Sequence, residues 1–306
     1  MCWRLARALS RLSNTSNHDD IRIRLFCDDL SVLNTIAHGD AIGHGATLGI
    51  EVLPWSAAES TEVLNSIGDV VIEAFACHLP ESYVTAMTNR PVAPTWINLE
   101  YLTAEAWADG MHLMPSPQNN GLKKYFYFPG FTAKTGGVTL GDWNEVTTRD
   151  GQQPIPESLL KAWSQCQEGA KRISIFNYRH APLDNWLCLL NQAASSCGDY
   201  VDVFICAGQN VSAAQLAPEL KALKLIELPF VPQEDYDWLV AHCDMNLVRG
   251  EDSFVRAQWA GKPFIWDIYP QSDLAHEVKL DAFLRSEEHT SELQSLRHLV
   301  CRLLLE

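Results

Sequence analysis

Residues 245–266 of the chain read MNLVRGEDSFVRAQWAGKPFIW, and this stretch predicts the fold more strongly than any other. The apolar run Met245 to Val248 has the composition of a buried strand, and it breaks at Gly250 beside polar residues. A short helical pattern follows and ends at Gly261, and Pro263 to Trp266 forms another strand-like run. The order strand, polar loop, helix and strand is typical of nucleotide-binding α/β folds.

The polar loop in this stretch has two interpretations. Asp252 or Ser253 can cap the helix, and a capped βαβ turn needs no ligand. Alternatively, the free N–H groups and the dipole at the helix N-terminus favour a phosphate, with Ser253 as a further donor. The residue types alone leave both interpretations open.

The rest of the chain alternates strands with helical stretches in two blocks. Residues 132–156, rich in Gly, Pro, Asp and Thr, have the composition of a linker between the blocks. This pattern predicts two Rossmann-like domains with parallel sheets, in which ligands bind at the carboxyl ends of strands and commonly in the cleft between domains. The predicted strands are Ile21–Cys27, Gly49–Pro54, Val70–Phe75, Thr95–Asn98, Tyr125–Phe128, Arg172–Asn177, Asp202–Cys206, Leu223–Leu228, Met245–Val248 and Pro263–Ile268, with helices at Pro182–Ser195 and Gln233–His242.

Composition excludes several classes of function. The net charge of −15 argues against broad nucleic-acid binding, which needs a basic face. No apolar window is long enough for a membrane span, so we expect no membrane association. The nine cysteines and ten histidines show neither a Cys-x-x-Cys pair nor metal-ligand spacing, so we predict a cytoplasmic protein with reduced thiols and no metal. The chain has no Gly-x-Gly-x-x-Gly, which argues against a nicotinamide enzyme.

Five motifs follow one another along the chain: EAFACHLP at 73–80, WINLEYLTAE at 96–105, KYFYFPGFTAKTGG at 124–137, PFVPQEDYDW at 229–238 and residues 249–271. In this order they resemble one protein family, and the resemblance covers roughly Cys2 to Leu284. The chain is similar to the EarP family, bacterial protein-arginine rhamnosyltransferases that modify translation elongation factor P (EF-P).

The resemblance implies a fold and a reaction. The fold is GT-B, an α/β glycosyltransferase architecture of two Rossmann-like domains facing a cleft. The implied reaction is an inverting transfer of rhamnose from dTDP-β-L-rhamnose to an arginine side chain of EF-P, with no cofactor besides this donor substrate. The expected domains are an N-terminal acceptor-side domain at 1–150 and a C-terminal nucleotide-sugar domain at 151–284.

The resemblance also implies site residues, all in the second block. Glu251 is the candidate catalytic carboxylate. Core packing is the alternative role for Phe176 and Tyr178, and helix capping is the alternative for Gln233. The chain departs from the family at Arg179, where a Glu is common. The implied donor-binding residues are Phe176, Tyr178, Phe230, Gln233, Arg249, Asp252 and Ser253.

Both ends of the chain depart from the family. Residues 1–12 have the pattern of a basic amphipathic helix, and the resemblance implies that a strand and an Asn-x-Gly-Asp loop should precede them. Residues 285–306 resemble a translated sequencing adapter, although Leu293, Leu296, Leu299, Val300 and Leu303 also suit an ordinary helix. We therefore expect a fragment, truncated at both ends, that is inactive as written.

Two other functions remain open on the sequence. One is a GT-B transferase that uses another sugar nucleotide or acceptor. The other is a non-catalytic fragment that binds a nucleotide or a partner protein without turnover. Asn98–Tyr101 and Pro129–Thr132 either dock the acceptor protein or are structural, and Asp28 and Asp29 are expected to form a turn.

Overall fold

A computed structural model describes residues 1–15, 21–138, 153–179, 181–208, 219–272 and 274–288. The chain divides into two compact units. Unit 1 comprises Met1–Gly141 and Ser272–Ser291, and unit 2 comprises Asp142–Gln271 and Glu292–Glu306. In the described part of the chain, no helix is long and apolar enough to cross a membrane.

Unit 1 contains two sheets with helices packed against them. Strands β1 and β2 pair in parallel. The second sheet has the order β3-β4-β6-β5, in which only β5 is antiparallel. A 3₁₀ helix spans Trp55–Glu59. The other elements are α1 (Cys2–Thr15), β1 (Ile23–Cys27), α2 (Leu30–Ile36), α3 (Ala41–Thr47), β2 (Ile50–Pro54), α4 (Thr61–Leu64), β3 (Val70–Ala74), α5 (Glu81–Thr88), β4 (Thr95–Leu99), α6 (Ala108–Met111), β5 (Pro115–Pro117) and β6 (Lys123–Tyr127).

The acidic pair Asp28 and Asp29, predicted to form a turn, lies between β1 and α2. Asp29 is the N-cap residue of α2, and its carboxylate accepts hydrogen bonds from the backbone N–H groups of Ser31 and Val32 at 2.9 and 3.1 Å. A carboxylate at this position satisfies backbone donors that have no partner within the helix. These hydrogen bonds also lower the pKa of Asp29, with the Ser31 side chain contributing most.

The EAFACHLP motif in unit 1 is built around a buried carboxylate. Glu73, on β3, is 1 % exposed. It pairs with Lys124 Nζ at 2.7 Å and accepts hydrogen bonds from the indole of Trp96 and the backbone N–H of His78, each at 3.1 Å. A buried carboxylate needs such compensation, so Glu73 fixes the loop after β3 to two neighbouring strands.

Asn98 ends the strand that the sequence predicts over Thr95–Asn98, and it lies in a strand as predicted. It belongs to β4, is buried, and donates a side-chain hydrogen bond to Glu100. Burial raises the pKa of Glu100, and the hydrogen bond from Asn98 opposes this shift. The strand continues one residue past its predicted end, because Leu99 also pairs with β6, at Tyr127.

Unit 2 is a three-layer α/β/α domain. Its sheet has the order β11-β10-β7-β8-β9, and every pair is parallel. Val203 and Ile205 pack against Leu187 of α8 on one face, whereas Phe204 packs against Trp238 of α9 and Leu159 of α7 on the other. The elements are α7 (Glu157–Trp163), β7 (Lys171–Ile175), α8 (Leu183–Cys197), β8 (Val201–Ile205), β9 (Leu223–Glu227), α9 (Gln233–His242), β10 (Met245–Arg249), α10 (Asp252–Ala260) and β11 (Phe264–Asp267).

The last described helix, α11 (Ala275–Glu288), groups with unit 1. Its Phe283 ring lies 5.5 Å from that of Phe131, and Lys279 Nζ lies 5.9 Å above the ring of Tyr101. The expected second domain extended to residue 284. A chain that crosses back to its first unit shows no marker of this in its local residue pattern, so the sequence did not predict that α11 groups with unit 1. The expected boundary near residue 150 and the tail from 289 onward lie outside the described residues.

Candidate functional site

The predicted site residues of unit 2 all lie at or just after the carboxyl ends of parallel strands, which meet at one edge of the sheet. Phe176 and Tyr178 follow β7, and Phe230 and Gln233 follow β9. Arg249 is the last residue of β10, and residues 251–253 lead into α10. Since β7 and β10 are neighbours, the residues after them come together.

Arg249 is the centre of a contact cluster. Its guanidinium carbon lies 4.2 Å from the ring centre of Phe176 and 5.0 Å from that of Tyr178. Its Nη1 donates a hydrogen bond to the backbone oxygen of Asn177 at 3.1 Å. The aromatic faces and the carbonyl hold the cation in a fixed direction, so three of the predicted donor-site residues form one structural group.

Gly250 provides the turn between β10 and α10. Its φ is +64°, a conformation that favours glycine, and its carbonyl accepts a hydrogen bond from the indole of Trp266 at 2.9 Å. A Cβ at this position would lie 3.5 Å from the hydroxyl oxygen of Tyr178, which is an ordinary contact. The backbone conformation, rather than space, therefore requires glycine.

Helix α10 begins without a side-chain cap. Glu251 occupies the N-cap position and makes no side-chain hydrogen bond to the first turn. Neither Asp252 nor Ser253, the two possible caps that the sequence offered, is the N-cap residue, because both already lie inside the first turn. The N-terminal turn of a helix presents backbone N–H groups and the positive end of the helix dipole, which together favour an anion. At the other end Gly261 adopts a φ of +61° and terminates the helix, as predicted.

Tyr178 has further partners on β11. Its backbone N–H donates to Asp267 Oδ2 at 2.7 Å, and its ring lies 5.2 Å from that of Tyr269. Burial raises the pKa of the Tyr178 hydroxyl, and the positive charge of Arg249 opposes this shift. Asp267 and Tyr269 were not among the predicted site residues, although their position at the end of a predicted strand was a usable signal.

Tyr236 also belongs to this region and was missed, although it lies inside a motif that the sequence analysis quoted. Its ring packs 5.4 Å from that of Phe176, and its hydroxyl oxygen is buried. Burial raises the pKa of Tyr236 well above its usual value, and the hydroxyl of Ser253 opposes the shift. Tyr236 thus lies between two predicted donor-site residues, on a helix whose inward-facing side chains the sequence alone does not identify.

The two predicted residues after β9 have different surroundings. Phe230 is 70 % exposed, with its ring close to Gly208, so it is available to stack on a ligand. Gln233 is the first residue of α9, after the N-cap residue Pro232, and its side-chain oxygen is buried. Gln233 is therefore not the cap residue of this helix.

No metal-binding group emerges from the residues that the structure describes. Among them, no three His, Cys, Asp or Glu side chains are arranged to hold a metal ion. The positive charge at the site is instead that of Arg249. An arginine beside a helix N-terminus can bind a phosphate or carboxylate by charge-assisted hydrogen bonds.

Comparison with known proteins gives consistent matches over the whole chain. A family model described as "Elongation-Factor P (EF-P) rhamnosyltransferase EarP" matches residues 1–301. A protein-arginine rhamnosyltransferase of Pseudomonas putida is 43 % identical over 301 residues, which cover 92 % of this chain and 76 % of the relative. Enzymes of the same name from Shewanella oneidensis and Pseudomonas aeruginosa are 39 % and 38 % identical, over 92 % of this chain and 75 % and 76 % of their own lengths.

Solved structures are similar in fold. A UDP-GlcNAc 2-epimerase from Neisseria meningitidis matches with a TM-score of 0.56 at 12 % identity, over 96 % of this chain and 91 % of its own. A putative UDP-N-acetylglucosamine 2-epimerase from Listeria monocytogenes gives a TM-score of 0.52 at 10 % identity, over 94 % of this chain and 85 % of its own. With the parallel sheets of both units, these likenesses confirm the GT-B fold class. A structure that concerns EarP-mediated arginine glycosylation of elongation factor EF-P matches at 28 % identity with a TM-score of 0.48, over 88 % of this chain and 77 % of its own.

Proposed function

The chain belongs to the EarP family of protein-arginine rhamnosyltransferases, a family of glycosyltransferases, and on this premise we propose its donor and its acceptor. The donor is dTDP-β-L-rhamnose, and the acceptor is an arginine side chain of EF-P. The acceptor is supported by the family description and by the glycosylation of EF-P in a related structure. The donor is supported by the residues at the edge of the unit 2 sheet.

The observation that carries the proposal is the position of Arg249 next to the uncapped start of α10. A nucleotide diphosphate needs positive charge, and this chain has a net charge of −15, so the charge must be local. Arg249 and the first N–H groups of α10 supply it together. The exposed ring of Phe230 is then available for the base or the sugar, and Phe176, which contacts Arg249, is proposed to border the same ligand.

The proposed reaction is a single displacement at the anomeric carbon of rhamnose. A guanidine nitrogen of the acceptor forms the new bond to this carbon, the bond to the diphosphate oxygen breaks, and dTDP leaves with the bonding electrons. One displacement inverts the configuration. The attacking nitrogen also loses a proton, which a guanidinium holds very tightly in water, so a carboxylate must hold the guanidinium and accept this proton as the bond forms.

Glu251 is the carboxylate of unit 2 that we propose for this role. It occupies the N-cap position of α10, one residue after Gly250, without using its side chain as a cap. A carboxylate at this position, directly after the turn at Gly250, is proposed to hold the acceptor guanidinium at the reacting carbon. Asp252 and Ser253, one and two residues later, are proposed to contact the hydroxyls and the phosphates of the donor.

Donor binding tests this proposal in the 306-residue chain. Isothermal titration calorimetry with dTDP-rhamnose and dTDP should show binding, and UDP-N-acetylglucosamine at the same concentrations should bind much more weakly. Equal binding of the UDP-sugar would contradict the proposed donor, and no binding of any nucleotide would contradict the proposed site.

A further inference from the structure

Arg256 is a buried cation directly behind the start of α10. Its side chain is 1 % exposed, and its guanidinium carbon lies 4.7 Å from the ring centre of Trp259. Arg256 Nε lies 3.9 Å from Asp237 Oδ1 on α9, and Arg256 Nη2 lies 3.7 Å from Asp252 Oδ1 on the same helix. A buried charge persists only when other charges compensate it, and here two carboxylates do so.

The three charged side chains form a row that leads from the core to the surface. Asp237 is 0 % exposed, Arg256 is 1 % exposed and Asp252 is 28 % exposed. Only the last of them can therefore meet a ligand. Asp252 is also the first residue of α10, where a bound anion would meet the helix.

A purely structural ion pair would not need Asp252. Asp237 alone balances the charge of Arg256 and connects α9 to α10. A second carboxylate in the first turn of α10 brings negative charge towards a site that we propose for a diphosphate, which is unfavourable unless the carboxylate has a ligand to bind. Hydroxyl groups of a sugar nucleotide are such ligands, because a carboxylate accepts hydrogen bonds from them.

We propose that Arg256 is a positioning residue for the donor. It holds the carboxylate of Asp252 in one direction, so that Asp252 accepts a hydrogen bond from a hydroxyl of the sugar nucleotide, and it offsets the negative charge of Asp252 near the diphosphate. Asp237 in turn fixes Arg256 from α9. This inference rests on the proposed donor, and it assigns Arg256 and Asp237 a function although neither touches the ligand.

A double-mutant cycle tests the inference. Arg256→Lys keeps the charge but loses the planar guanidinium that spans two carboxylates, and Asp252→Asn keeps the shape but removes the charge. Calorimetry on the 306-residue chain gives the Kd of dTDP-rhamnose for each single variant and for the double variant. We expect each single change to raise the Kd about tenfold above that of the unaltered chain. The double variant should have about the same tenfold higher Kd, because Arg256 acts through Asp252.

Roughly hundredfold weaker binding in the double variant would mean that the two effects add, and this would overturn the inference. An unchanged Kd in Arg256→Lys would overturn it as well. If near-ultraviolet circular dichroism shows that Arg256→Lys does not fold, the cycle uses Asp237→Asn in place of Arg256→Lys. This variant should also raise the Kd, and the effect should disappear in the Asp252→Asn background; an effect that persists there would count against the inference.

The chain offers a matched control. Arg285 and Asp281 form an ion pair with the same four-residue spacing on α11, at 3.0 Å, but their side chains are 73 % and 66 % exposed. Arg285→Lys with Asp281→Asn should leave the Kd of dTDP-rhamnose unchanged. If the unaltered chain itself fails to bind dTDP-rhamnose, the proposed donor is wrong and this inference is wrong with it, whereas additive effects in a chain that binds would overturn only the inference.

Discussion

Arg249 is the residue on which the proposed donor site depends most. Changing it to alanine removes a cation that two aromatic rings and a backbone carbonyl already orient. The affinity for dTDP and for dTDP-rhamnose should fall alike, because the diphosphate is common to both. Losing a charge-assisted hydrogen bond of ~1.5–3 kcal/mol corresponds to a roughly ten- to hundredfold higher Kd in calorimetry. Equal affinities of Arg249→Ala and the unaltered chain would show that the diphosphate lies elsewhere.

Glu251 should respond differently to substitution. Glu251→Gln is nearly isosteric and leaves the backbone at the start of α10 unchanged, so dTDP binding should stay within about twofold. Turnover should instead fall by about 10²-fold or more, because the carboxylate is proposed to act on the guanidinium during bond formation. Calorimetry with dTDP and a rate assay on the same preparation separate the two effects, in a version of the chain that carries the strand and Gly-Asp loop implied by the family resemblance. Full turnover of the variant would exclude a catalytic role for Glu251.

Gly250 gives a test that concerns stability. Gly250→Ala forces an alanine into a left-handed conformation at φ +64°, without a steric clash. The free energy of unfolding should drop by about 1–2 kcal/mol, measured by urea denaturation. Gly110→Ala is the matched control, since Gly110 lies in α6 with nothing within 4 Å of an added Cβ and without a positive φ. A loss at Gly110 as large as that at Gly250 would argue against backbone strain as the cause.

At the scale of elements, the buried thiol at the end of β8 should lower the free energy of unfolding at high pH. Cys206 follows β8, and burial raises the pKa of its thiol from 9.0 to about 12, with Arg249 opposing the shift. Between these values the unfolded chain releases this proton while the folded chain keeps it. Stability is therefore fully present below pH 9 and is lost as pH rises towards 12.

Cys206→Ala should reduce this loss. The slope of the free energy of unfolding against pH, above pH 9, should become shallower by up to about 1.4 kcal/mol per pH unit, which is the contribution of one proton. Urea denaturation at several pH values in this range measures the slope. Cys197→Ala serves as the control, because Cys197 is exposed and its replacement should leave the slope unchanged. A slope that is the same in Cys206→Ala and the unaltered chain would contradict the assignment.

Several elements were predictable from the sequence because their signals are local. The run Met245 to Val248 and the glycine at 261 specify a strand and a helix end by composition and conformational preference, and both occur as predicted. The helix start was harder, because Asp252 and Ser253 both favour an N-cap position by residue type. The structure selects Glu251, although its side chain does not cap the helix.

At the scale of the whole molecule, the alternation of strands and helices predicted the α/β class, and the ordered motifs predicted the family. Contacts between distant segments were not predictable. The row of Asp237, Arg256 and Asp252 depends on how α9 and α10 pack, and no periodicity in either helix encodes it. The packing of Phe283 against Phe131 in unit 1 likewise joins residues far apart in the chain.

We propose that this protein transfers rhamnose to an arginine of EF-P. The most direct test is intact-protein and peptide mass spectrometry of EF-P after incubation with dTDP-rhamnose and a version of the chain that carries, at its amino end, the strand and Gly-Asp loop implied by the family resemblance. We expect one added deoxyhexosyl group on a single arginine, no addition when that arginine is replaced by lysine, and a rate at least 10²-fold lower with Glu251→Gln. Modification of another residue type, or equal modification from a UDP-sugar, would contradict it.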